Sequence, residues 1–421
     1  MRGGVFTLAV KSVLNRRVTA ALTVAALAIS IALVLGVERL RHEAKASFAN
    51  TISGVDLVVG ARSGGIQLLL YSVFRIGNAT NNVSWRSYRE IAAWPDVAWT
   101  IPLSLGDSHK GFRVLGTNQD YFRHYRYRQG RKLELAEGTP FDDLFDAVIG
   151  ADVARTLGYR LGQEIVVSHG LGRQGFSDHK DKPFRVAGIL AKTGTPVDRT
   201  VHVSLEAIEA IHVDWRSGAR VPGMGVSAEA VRKMQLRPKT VTAFLVGMKS
   251  RFAVFKAQRR INEYAREPLL AALPGVTLQE LWDLMGTAET ALAAISGFVV
   301  VGGLLGMLTM LLAGLNERRR EMAILRAVGA RPRHLFTLLV AEAGFLTLVG
   351  AAIGTVLLYA VLAAASPMLD ARYGLSIAVG WPSLREWAML GVFQLCGTLA
   401  GAVPAWRACR QALADGMIVR T

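Results

Sequence analysis

The sequence predicts a membrane protein with four transmembrane α-helices and a large α+β domain inserted between helices 1 and 2. Two observations predict this fold class. Hydrophobic residues make up 51% of the 421 residues, which is typical of a membrane protein that carries a sizeable polar insertion. Four runs almost without charged residues are long enough to cross a bilayer as helices, and one long polar stretch separates the first run from the second.

The charged residues set the predicted boundaries and the orientation. The pieces assigned to the cytoplasm hold 13 Lys and Arg against 3 Asp and Glu, as cytoplasmic loops do. The formal charge of +17 is therefore partly an orientation signal, which argues against nucleic-acid binding.

In order, we predict a cytoplasmic N-terminal elbow (1–17), transmembrane helix 1 (18–37), an extracytoplasmic α+β domain (38–286), transmembrane helix 2 (287–315), a cytoplasmic segment (316–334), transmembrane helix 3 (335–369), an extracytoplasmic loop (370–386), transmembrane helix 4 (387–406) and a cytoplasmic tail (407–421).

The first apolar run, Val18–Val37, follows Arg16 and Arg17 and contains no charged residue. A cleaved signal peptide would have a shorter apolar region and a small-residue cleavage site before Glu38. We therefore expect a retained first helix whose N-terminus lies in the cytoplasm.

The inserted domain alternates short β-rich runs with amphipathic helical patterns, as an α+β fold requires. The predicted strands are Val55–Val59, Val97–Leu103, Phe112–Leu115, Ile165–Ser168, Phe184–Leu190, Thr200–Val203 and Val241–Met248. The predicted helices are Ser84–Ala93, Ala151–Leu157, Leu205–Ile211 and Arg251–Tyr264. Glycine and proline in Ser217–Ser227 predict a mobile loop, and Leu278–Thr287 is expected to be a linker helix leading into transmembrane helix 2.

One apolar segment of the inserted domain, Ile66–Phe74, is too short to span a bilayer. Two interpretations remain open from the residues. The segment is either a buried amphipathic helix or an exposed apolar lip that meets a lipid, an amphiphile or a partner protein.

Three of the four predicted transmembrane helices contain a GxxxG pattern, which lets helices approach closely in lipid. The glycines are Gly302 and Gly306, Gly350 and Gly354, and Gly397 and Gly401. Glu342 is the only acid well inside a predicted span. We favour an ion pair between Glu342 and an arginine of the 316–334 segment over a proton relay.

The cytoplasmic segment itself has an amphipathic pattern. Met322, Leu325 and Val328 recur at helical spacing between arginines, and Gly329 and Pro332 close the pattern. A short helix beneath the membrane is predicted, with an apolar face that a soluble partner protein could bind. The alternative is that the arginines only fix the topology.

No GxxxxGK[ST], HExxH or GxSxG motif occurs in the sequence. The chain is therefore not expected to be an enzyme or to bind a cofactor of its own.

Seven of the eight histidines fall in the inserted domain, and some have acidic neighbours. Imidazole and carboxylate together suit zinc, so we consider a metal site, although the irregular spacing is also that of scattered surface histidines. The candidate ligands are His169, Asp178, His179 and His202.

The 316–330 stretch resembles the cytoplasmic coupling segment of the ABC permeases that include MacB, FtsX and the lipoprotein-releasing (LolC/LolE-like) permeases. The matching residues are Glu321, Met322, Ala323, Ile324, Leu325, Arg326, Ala327, Gly329 and Ala330. Further matches are Glu342 with Gly350 and Gly354, Pro404–Ala408, and Leu8–Thr23.

The resemblance implies that the coupling segment contacts an ATPase. The residues that would do so are Glu321, Met322, Ile324, Leu325, Arg326, Ala327 and Gly329. ATP and Mg²⁺ would be bound by a separate cytoplasmic ABC ATPase subunit, present in two copies, and a second permease protomer would complete a homodimer. The inserted domain would be periplasmic and would comprise two subdomains, with Glu38–Thr100 and Val241–Val276 forming the membrane-proximal one.

The expected function is that of a permease subunit in a bacterial inner membrane. It would couple ATP hydrolysis to movement of its periplasmic domain, a mechanism called mechanotransmission, to export or extract an amphiphile or a lipoprotein-like substrate. A further periplasmic or outer-membrane partner fits this function. The alternatives are an FtsX-like regulator that activates a periplasmic partner and a metal-handling permease.

Overall fold

The computed structural model describes residues 17–170, 177–179, 181–216, 219–220, 226–317, 322, 324, 326–373 and 380–410. The chain divides into two compact units. The first, here called the helical unit, comprises Met1–Glu43, Gly286–Pro367 and Ile377–Thr421, and the second, the sheet unit, comprises Ala44–Met285 and Met368–Ser376. The predicted N-terminal elbow, the loop Ser217–Ser227 and the C-terminal tail lie wholly or largely outside the described residues.

Within the described residues, the α-helices follow the chain in this order: α1 (Arg17–Thr51), α2 (Gly65–Ser72), α3 (Trp85–Ala92), α4 (Asp120–His124), α5 (Ala151–Leu157), α6 (Leu205–Ile211), α7 (Ala228–Arg232), α8 (Val254–Asn262), α9 (Pro274–Glu317), α10 (Pro332–Tyr373), α11 (Leu384–Ala400) and α12 (Ala402–Arg410). Short 3-10 helices occur at Pro196–Arg199 and Arg251–Ala253.

The strands of the sheet unit, in chain order, are β1 (Leu57–Ala61), β2 (Val83–Ser84), β3 (Val97–His109), β4 (Phe112–Thr117), β5 (Arg126–Tyr127), β6 (Arg131–Lys132), β7 (Leu135–Gly138), β8 (Asp146–Ile149), β9 (Glu164–Ile165), β10 (Ser168–His169), β11 (Ser177–Asp178), β12 (Phe184–Leu190), β13 (Thr200–Ser204), β14 (Trp215–Arg216), β15 (Ala219–Arg220), β16 (Thr240–Val241), β17 (Ala243–Met248) and β18 (Leu269–Ala272).

Among the described residues, four stretches of helix are long and apolar enough to cross a membrane by length and composition: α1, most of α9, most of α10, and α11 with α12. They contain the predicted spans 18–37, 287–315 and 387–406 and all but the last three residues of 335–369. The helices extend past the predicted limits, because α1 continues to Thr51 and α9 begins at Pro274. The predicted linker helix Leu278–Thr287 is therefore part of α9.

Most of the apolar surface of these helices faces away from the protein. Only 28–39% of the residues in their most apolar windows are buried within the chain. In water, so much exposed apolar surface would be unfavourable, whereas lipid chains accept it at no cost. The helical unit therefore has the surface of a membrane-embedded bundle.

Two of the three GxxxG pairs bring helices of the same chain into close contact. A Cβ atom at Gly350 would lie 2.7 Å from Cβ of Leu27, and one at Gly354 would lie 2.5 Å from the carbonyl oxygen of Ala28, so α10 packs tightly on α1. Gly397 and Gly401 bring α11 equally close to Thr347 and Ala343 of α10. In the third pair, Gly302 and Gly306, added Cβ atoms would meet no described atom within 4 Å.

The sheet unit is organised around one twelve-stranded mixed sheet with the order β18-β1-β17-β3-β4-β13-β8-β12-β7. The short strands β9 and β10 add to this path at β12 and β3, and β11 pairs with β10. Hydrophobic clusters cover both faces of the sheet, with helices α3 and α8 over one part and α5 and α6 over another.

The long strand β3 joins the two parts of the sheet. Its first half pairs with β17, from Val97 to Leu103, and its second half pairs with β4, from Ser104 to His109. The resemblance implies two subdomains that divide near Thr100. The structure shows that one strand passes through this division, so the backbone hydrogen bonding of the sheet continues across it.

Many local predictions for the inserted domain match the structure. The helices α5 and α6 and the strand β12 have the predicted limits, and α3 lies within the predicted Ser84–Ala93, with Ser84 as its N-cap. Ser84 Oγ accepts a hydrogen bond from the backbone N–H of Ser87, which is the usual role of serine at a helix start. Local patterns were therefore sufficient to define these elements.

The apolar segment Ile66–Phe74 forms α2 and the turn after it. Leu68, Leu69, Tyr71 and Phe74 are buried in a hydrophobic cluster of the sheet unit. The buried-helix interpretation is therefore confirmed, and the alternative of an exposed apolar lip is wrong.

Candidate functional sites

The predicted coupling segment, residues 316–334, packs against other helices of its own chain through Met322. This side chain is only 9% exposed and belongs to an apolar cluster that joins the end of α9, the start of α10 and α12. We call it the Met322 cluster, and the end of the helical unit that contains it the Met322 end. Its other buried members are Leu315, Leu335, Leu339, Ala405 and Ala408.

Arg326 makes a second connection to α12. Its Nη2 donates hydrogen bonds to the carbonyl oxygens of Ala408 and Cys409, both at 3.1 Å. These carbonyls lie in the last turn of α12, where helix carbonyls lack partners within the helix and the helix dipole favours a cation. Arg326 therefore caps a helix of its own chain, and its predicted contact with an ATPase stays a prediction.

The opposite face of the coupling segment is exposed and apolar. Ile324 is 55% exposed and Val328 is 84% exposed. These two residues lie about 40° apart around a helix, whereas Met322 and Val328 lie about 120° apart. The predicted Met322–Leu325–Val328 face is therefore divided between the interior and the surface.

The predicted ATPase-contacting residues thus separate into three groups. Met322 and Arg326 contact their own chain, whereas Ile324, Ala327 and Gly329 are exposed. Gly329 has a φ of +101°, which suits a glycine that ends a helix. Glu321 and Leu325 lie outside the described residues.

The other end of the helical unit carries a buried ion pair that the sequence did not predict. Arg39 Nη1 lies 3.2 Å from Glu386 Oε2, and the two side chains are 8% and 3% exposed. The same guanidinium donates a hydrogen bond to the Tyr359 hydroxyl at 3.1 Å and lies 3.7 Å from Glu43. This region, here called the Arg39 end, joins α1, α10 and α11.

Glu386 also shapes the start of α11. It accepts a hydrogen bond from the backbone N–H of Ser383, while Ser383 Oγ accepts one from the N–H of Glu386, so the two residues form a capping box. One carboxylate therefore both starts α11 and attaches it to α1.

Glu342 is buried within the helical unit. The arginines expected to pair with it include Arg318, Arg319 and Arg320, which lie outside the described residues. The ion pair stays a prediction.

In the sheet unit, three histidines and one aspartate form a single cluster, here called the histidine cluster: Asp107, His169, His179 and His212. His169 Nδ1 lies 3.0 Å from Asp107 Oδ1 and 3.2 Å from His212 Nε2. His212 Nε2 is 3.6 Å from the same carboxylate oxygen. The indole of Trp215 contacts all three imidazole rings, with ring centroids 4.9–5.4 Å apart.

Strand pairing brings these residues together. His169 of β10 lies directly opposite Asp107 of β3 in an antiparallel pair, so their side chains are neighbours on one face. β11 pairs with β10 and ends at Asp178. His179 is the next residue, so it follows directly after the strand that pairs with β10. His212 follows α6, and its Nδ1 lies 2.8 Å from the carbonyl oxygen of Ile208.

The histidines of the cluster have shifted pKa values of opposite sign. The hydrogen bond with Asp107 raises the pKa of His169 above its usual value. Burial, reinforced by the nearby His212, lowers the pKa of His179 to about 4. At neutral pH His179 is therefore neutral, with a nitrogen lone pair that is available to a Lewis acid.

The comparison with family models decides the identity of the chain. An FtsX-like permease C-terminal model matches residues 293–413, and a MacB-like periplasmic core domain model matches residues 20–261, more than half of the chain. The chain is an ABC transporter permease of the MacB/FtsX family. The first match covers the coupling segment and α10–α12, and the second covers the histidine cluster.

Individual relatives of this permease agree with the family models. It is 23% identical over 321 residues to the macrolide export ATP-binding/permease protein MacB of Shewanella oneidensis, covering 75% of this chain and 45% of MacB. It is 30% identical over 125 residues to the uncharacterized ABC transporter permease YknZ of Bacillus subtilis, covering 29% of each chain. The permease thus spans less than half the length of these relatives.

A solved structure, the periplasmic region of MacB from Actinobacillus actinomycetemcomitans, aligns with 55% of the permease and 94% of its own chain. The sequence identity is 11% and the TM-score is 0.34.

Sequence reasoning located only part of the histidine cluster. Of the four candidate ligands, His169 and His179 lie in it. His202 does not, because it is buried elsewhere with its Nδ1 3.1 Å from the carbonyl oxygen of Val148, and burial lowers its pKa to about 3. The side chain of Asp178 is outside the described part of the structure. Asp107 and His212 were missed, since only the strand pairing shows that they are neighbours.

Proposed function

We propose that this permease couples ATP hydrolysis by a separate cytoplasmic ABC ATPase subunit to conformational change in its sheet unit. The observation that carries the proposal is the division of the coupling segment into two faces. Ile324 and Val328 are exposed, whereas Met322 and Arg326 hold the same segment to α9, α10 and α12. The exposed face suits a groove on a soluble partner, as amphipathic helices in grooves do.

The anchored face explains how movement of the ATPase would reach the rest of the chain. Packed side chains have low compressibility, so a displacement at Ile324 and Val328 would pass through Met322 into the helices of its cluster. α9 is one unbroken helix from Pro274 to Glu317. Its first residues, Pro274–Met285, belong to the sheet unit, so the helix would carry the displacement along the chain into that unit.

We place a second permease protomer against the Gly302 and Gly306 face of α9. The other two GxxxG pairs are already in contact with helices of the same chain, whereas these two glycines are exposed and meet no described atom. A glycine face of this kind allows close contact with another helix in lipid. It would support a homodimer that works with two ATPase subunits, each binding ATP and Mg²⁺.

The proposed cargo is an amphiphile or a lipoprotein-like molecule, exported or extracted from a bacterial inner membrane with the sheet unit in the periplasm. Two observations support this class of cargo. The sheet unit falls within the match to the MacB-like periplasmic core domain, and several relatives are named macrolide export proteins.

The test is co-purification of the permease with its cognate ATPase, together with ATP turnover in lipid. Ile324→Asp and Val328→Asp each place a charge in the proposed groove. We expect each to weaken the complex by about 2 kcal/mol or more, which is roughly thirtyfold, because a charge buried without a partner is costly. Both variants should still insert into the membrane, since neither changes an arginine.

Phe252→Asp is the matched control, because Phe252 is an apolar residue of the sheet unit that is 96% exposed. It should bind the ATPase as the wild type does. Wild-type binding and turnover in both coupling-segment variants would show that residues 316–334 fix the topology and do not contact an ATPase.

A further inference from the structure

We propose that Asp107, His179 and His212 bind a single divalent transition-metal ion, with His169 positioning the carboxylate. Two imidazoles and one carboxylate are a ligand set that Zn²⁺ commonly takes, so we assign the ion as Zn²⁺. One carboxylate oxygen and one nitrogen from each of the two imidazoles lie within 4.8 Å of one another. Ligand atoms around a common ion 2.0–2.2 Å away are separated by roughly 3–4 Å, so small side-chain adjustments would complete the site.

The buried nitrogen of His179 is the observation that points to a ligand. His179 is only 2% exposed, and among the described residues its Nε2 has no hydrogen-bond partner. Buried polar atoms are nearly always paired, because an unpaired one loses its interaction with water without compensation. A metal ion bound to this nitrogen would provide the missing interaction.

A hydrogen-bonded cluster without metal explains the other members but not His179. Asp107, His169 and His212 are within hydrogen-bonding distance of one another, at 3.0–3.6 Å. His179 lies against the same group, with its ring centroid 5.1 Å from that of His212. An ion at the centre of the cluster would use all of these side chains at once.

The surroundings orient the ligands as in known metal sites. The Nδ1 of His212 lies 2.8 Å from the carbonyl oxygen of Ile208, so a proton on Nδ1 leaves the lone pair on Nε2, which faces the cluster. His169 donates to the carboxylate of Asp107 and fixes its direction. Residues that hydrogen-bond to the ligands without contacting the metal hold the ligands in orientation and increase the affinity for metal.

The local charges also allow a cation. The ammonium of the buried Lys182, three residues after His179, lies 3.0 Å from Asp214 and 3.2 Å from Asp181, which together offset its charge. The Asp107 carboxylate then remains to attract the metal ion.

A cleft of about 700 Å³ reaches the histidine cluster at His169. His169, Gly170 and Gly106 line it, together with polar side chains that include Asn78 and Arg113. Three protein ligands leave a fourth position of a tetrahedral Zn²⁺ open. Water, or a donor atom from another molecule, would occupy it.

The experiment uses the full-length permease, purified in detergent and stripped of metal with a chelator, and measures Zn²⁺ binding by isothermal titration calorimetry. We expect about one equivalent for the wild type. His179→Ala and His212→Ala should each weaken binding at least a hundredfold because a direct ligand is lost. His169→Ala should weaken it about tenfold to a hundredfold, as removal of a ligand's supporting partner does.

His124→Ala is the matched control, since His124 belongs to the same unit but stacks on Trp99 away from the cluster. It should bind Zn²⁺ as the wild type does. Thermal unfolding monitors folding in parallel, and Zn²⁺ should raise the Tm of the wild type and of His124→Ala more than that of the cluster variants. If one ligand variant fails to fold, the other one and Asp107→Asn still test the site.

A wild-type chain that binds no Zn²⁺ would overturn the proposal. So would binding that is unchanged in the folded ligand variants, because the ion would then lie elsewhere. The measurement requires no ATPase, so its outcome is independent of the proposed coupling function.

Discussion

At the Arg39 end of the helical unit, the buried guanidinium of Arg39 pairs with the buried carboxylate of Glu386. At the Met322 end, the helices pack through an apolar cluster, and the guanidinium of Arg326 donates hydrogen bonds to backbone carbonyls beside it. Both ends join three helices, and both use an arginine. At the Arg39 end, the two charged groups are shielded from water, and each is stabilised mainly by the other. At the Met322 end, most of the contact is apolar and the arginine interacts with a helix end.

This difference predicts a different mechanical character for the two ends. A buried ion pair tolerates little displacement, because separating the charges leaves each one without solvent or partner. Apolar contacts are non-directional and weaken gradually as side chains slide. We infer that the Arg39 end fixes the register of α1, α10 and α11, and that the Met322 end tolerates the movement that the proposed coupling would require.

The largest effect is expected from Arg39→Ala. It leaves the Glu386 carboxylate buried without its strongest partner, and breaking a buried pair from one side costs about 3–5 kcal/mol. The free energy of unfolding of the purified permease should fall by this amount, as measured by thermal unfolding in detergent. A loss below about 1 kcal/mol would mean that water reaches the pair and that it behaves as an exposed one.

Two further variants sharpen this test. Arg39→Met combined with Glu386→Gln removes both charges and keeps an acceptor for the capping box, so it should recover most of the lost stability. Arg385→Ala removes an exposed arginine that lies 3.3 Å from Glu38, and the expected loss is about 0–1 kcal/mol. If the double variant were as unstable as Arg39→Ala, packing rather than unpaired charge would explain the loss.

A smaller effect is expected at the other end. Met322→Ala truncates a buried side chain between α9, α10 and α12, and changes of this kind cost about 2–3 kcal/mol when the site is partly able to close. Ile324→Ala, two residues away and 55% exposed, should cost less than about 0.5 kcal/mol. Equal losses of thermal stability in the two variants would contradict the assignment of Met322 to the interior.

Features that depend on local sequence were predictable. The four apolar runs lie within the four long helices because length and composition are sufficient to predict a long apolar helix. The limits of Ala151–Leu157 and Leu205–Ile211 follow from local helix signals, with Gly158 in a left-handed conformation after the first and Ser204 as the N-cap of the second.

Features that depend on contacts between distant residues were not predictable. Arg39 and Glu386 are separated by 347 residues, and Asp107 and His169 by 62, so no spacing pattern connects them. The coupling segment shows a third limit. Its periodicity indicated a helix, but the fold alone decides that Met322 faces inward and Val328 outward. The same reason explains why two of the four candidate ligands, His169 and His179, lie in the histidine cluster and His202 does not.

A third and smaller loss than at Arg39 or Met322 is expected at Arg326, and it separates the two roles that this residue was given. If Arg326 caps α12, as its contacts with the carbonyls of Ala408 and Cys409 indicate, Arg326→Ala should lower the free energy of unfolding by about 1 kcal/mol. Arg326→Lys should retain part of that stability, since an ammonium also interacts with the negative end of a helix. Thermal unfolding of the permease without its ATPase measures this effect, and co-purification measures ATPase binding in the same variants. A cap predicts a loss of stability with ATPase binding close to that of the wild type. Unchanged stability with weakened binding would instead return Arg326 to the partner surface, beside Ile324 and Val328.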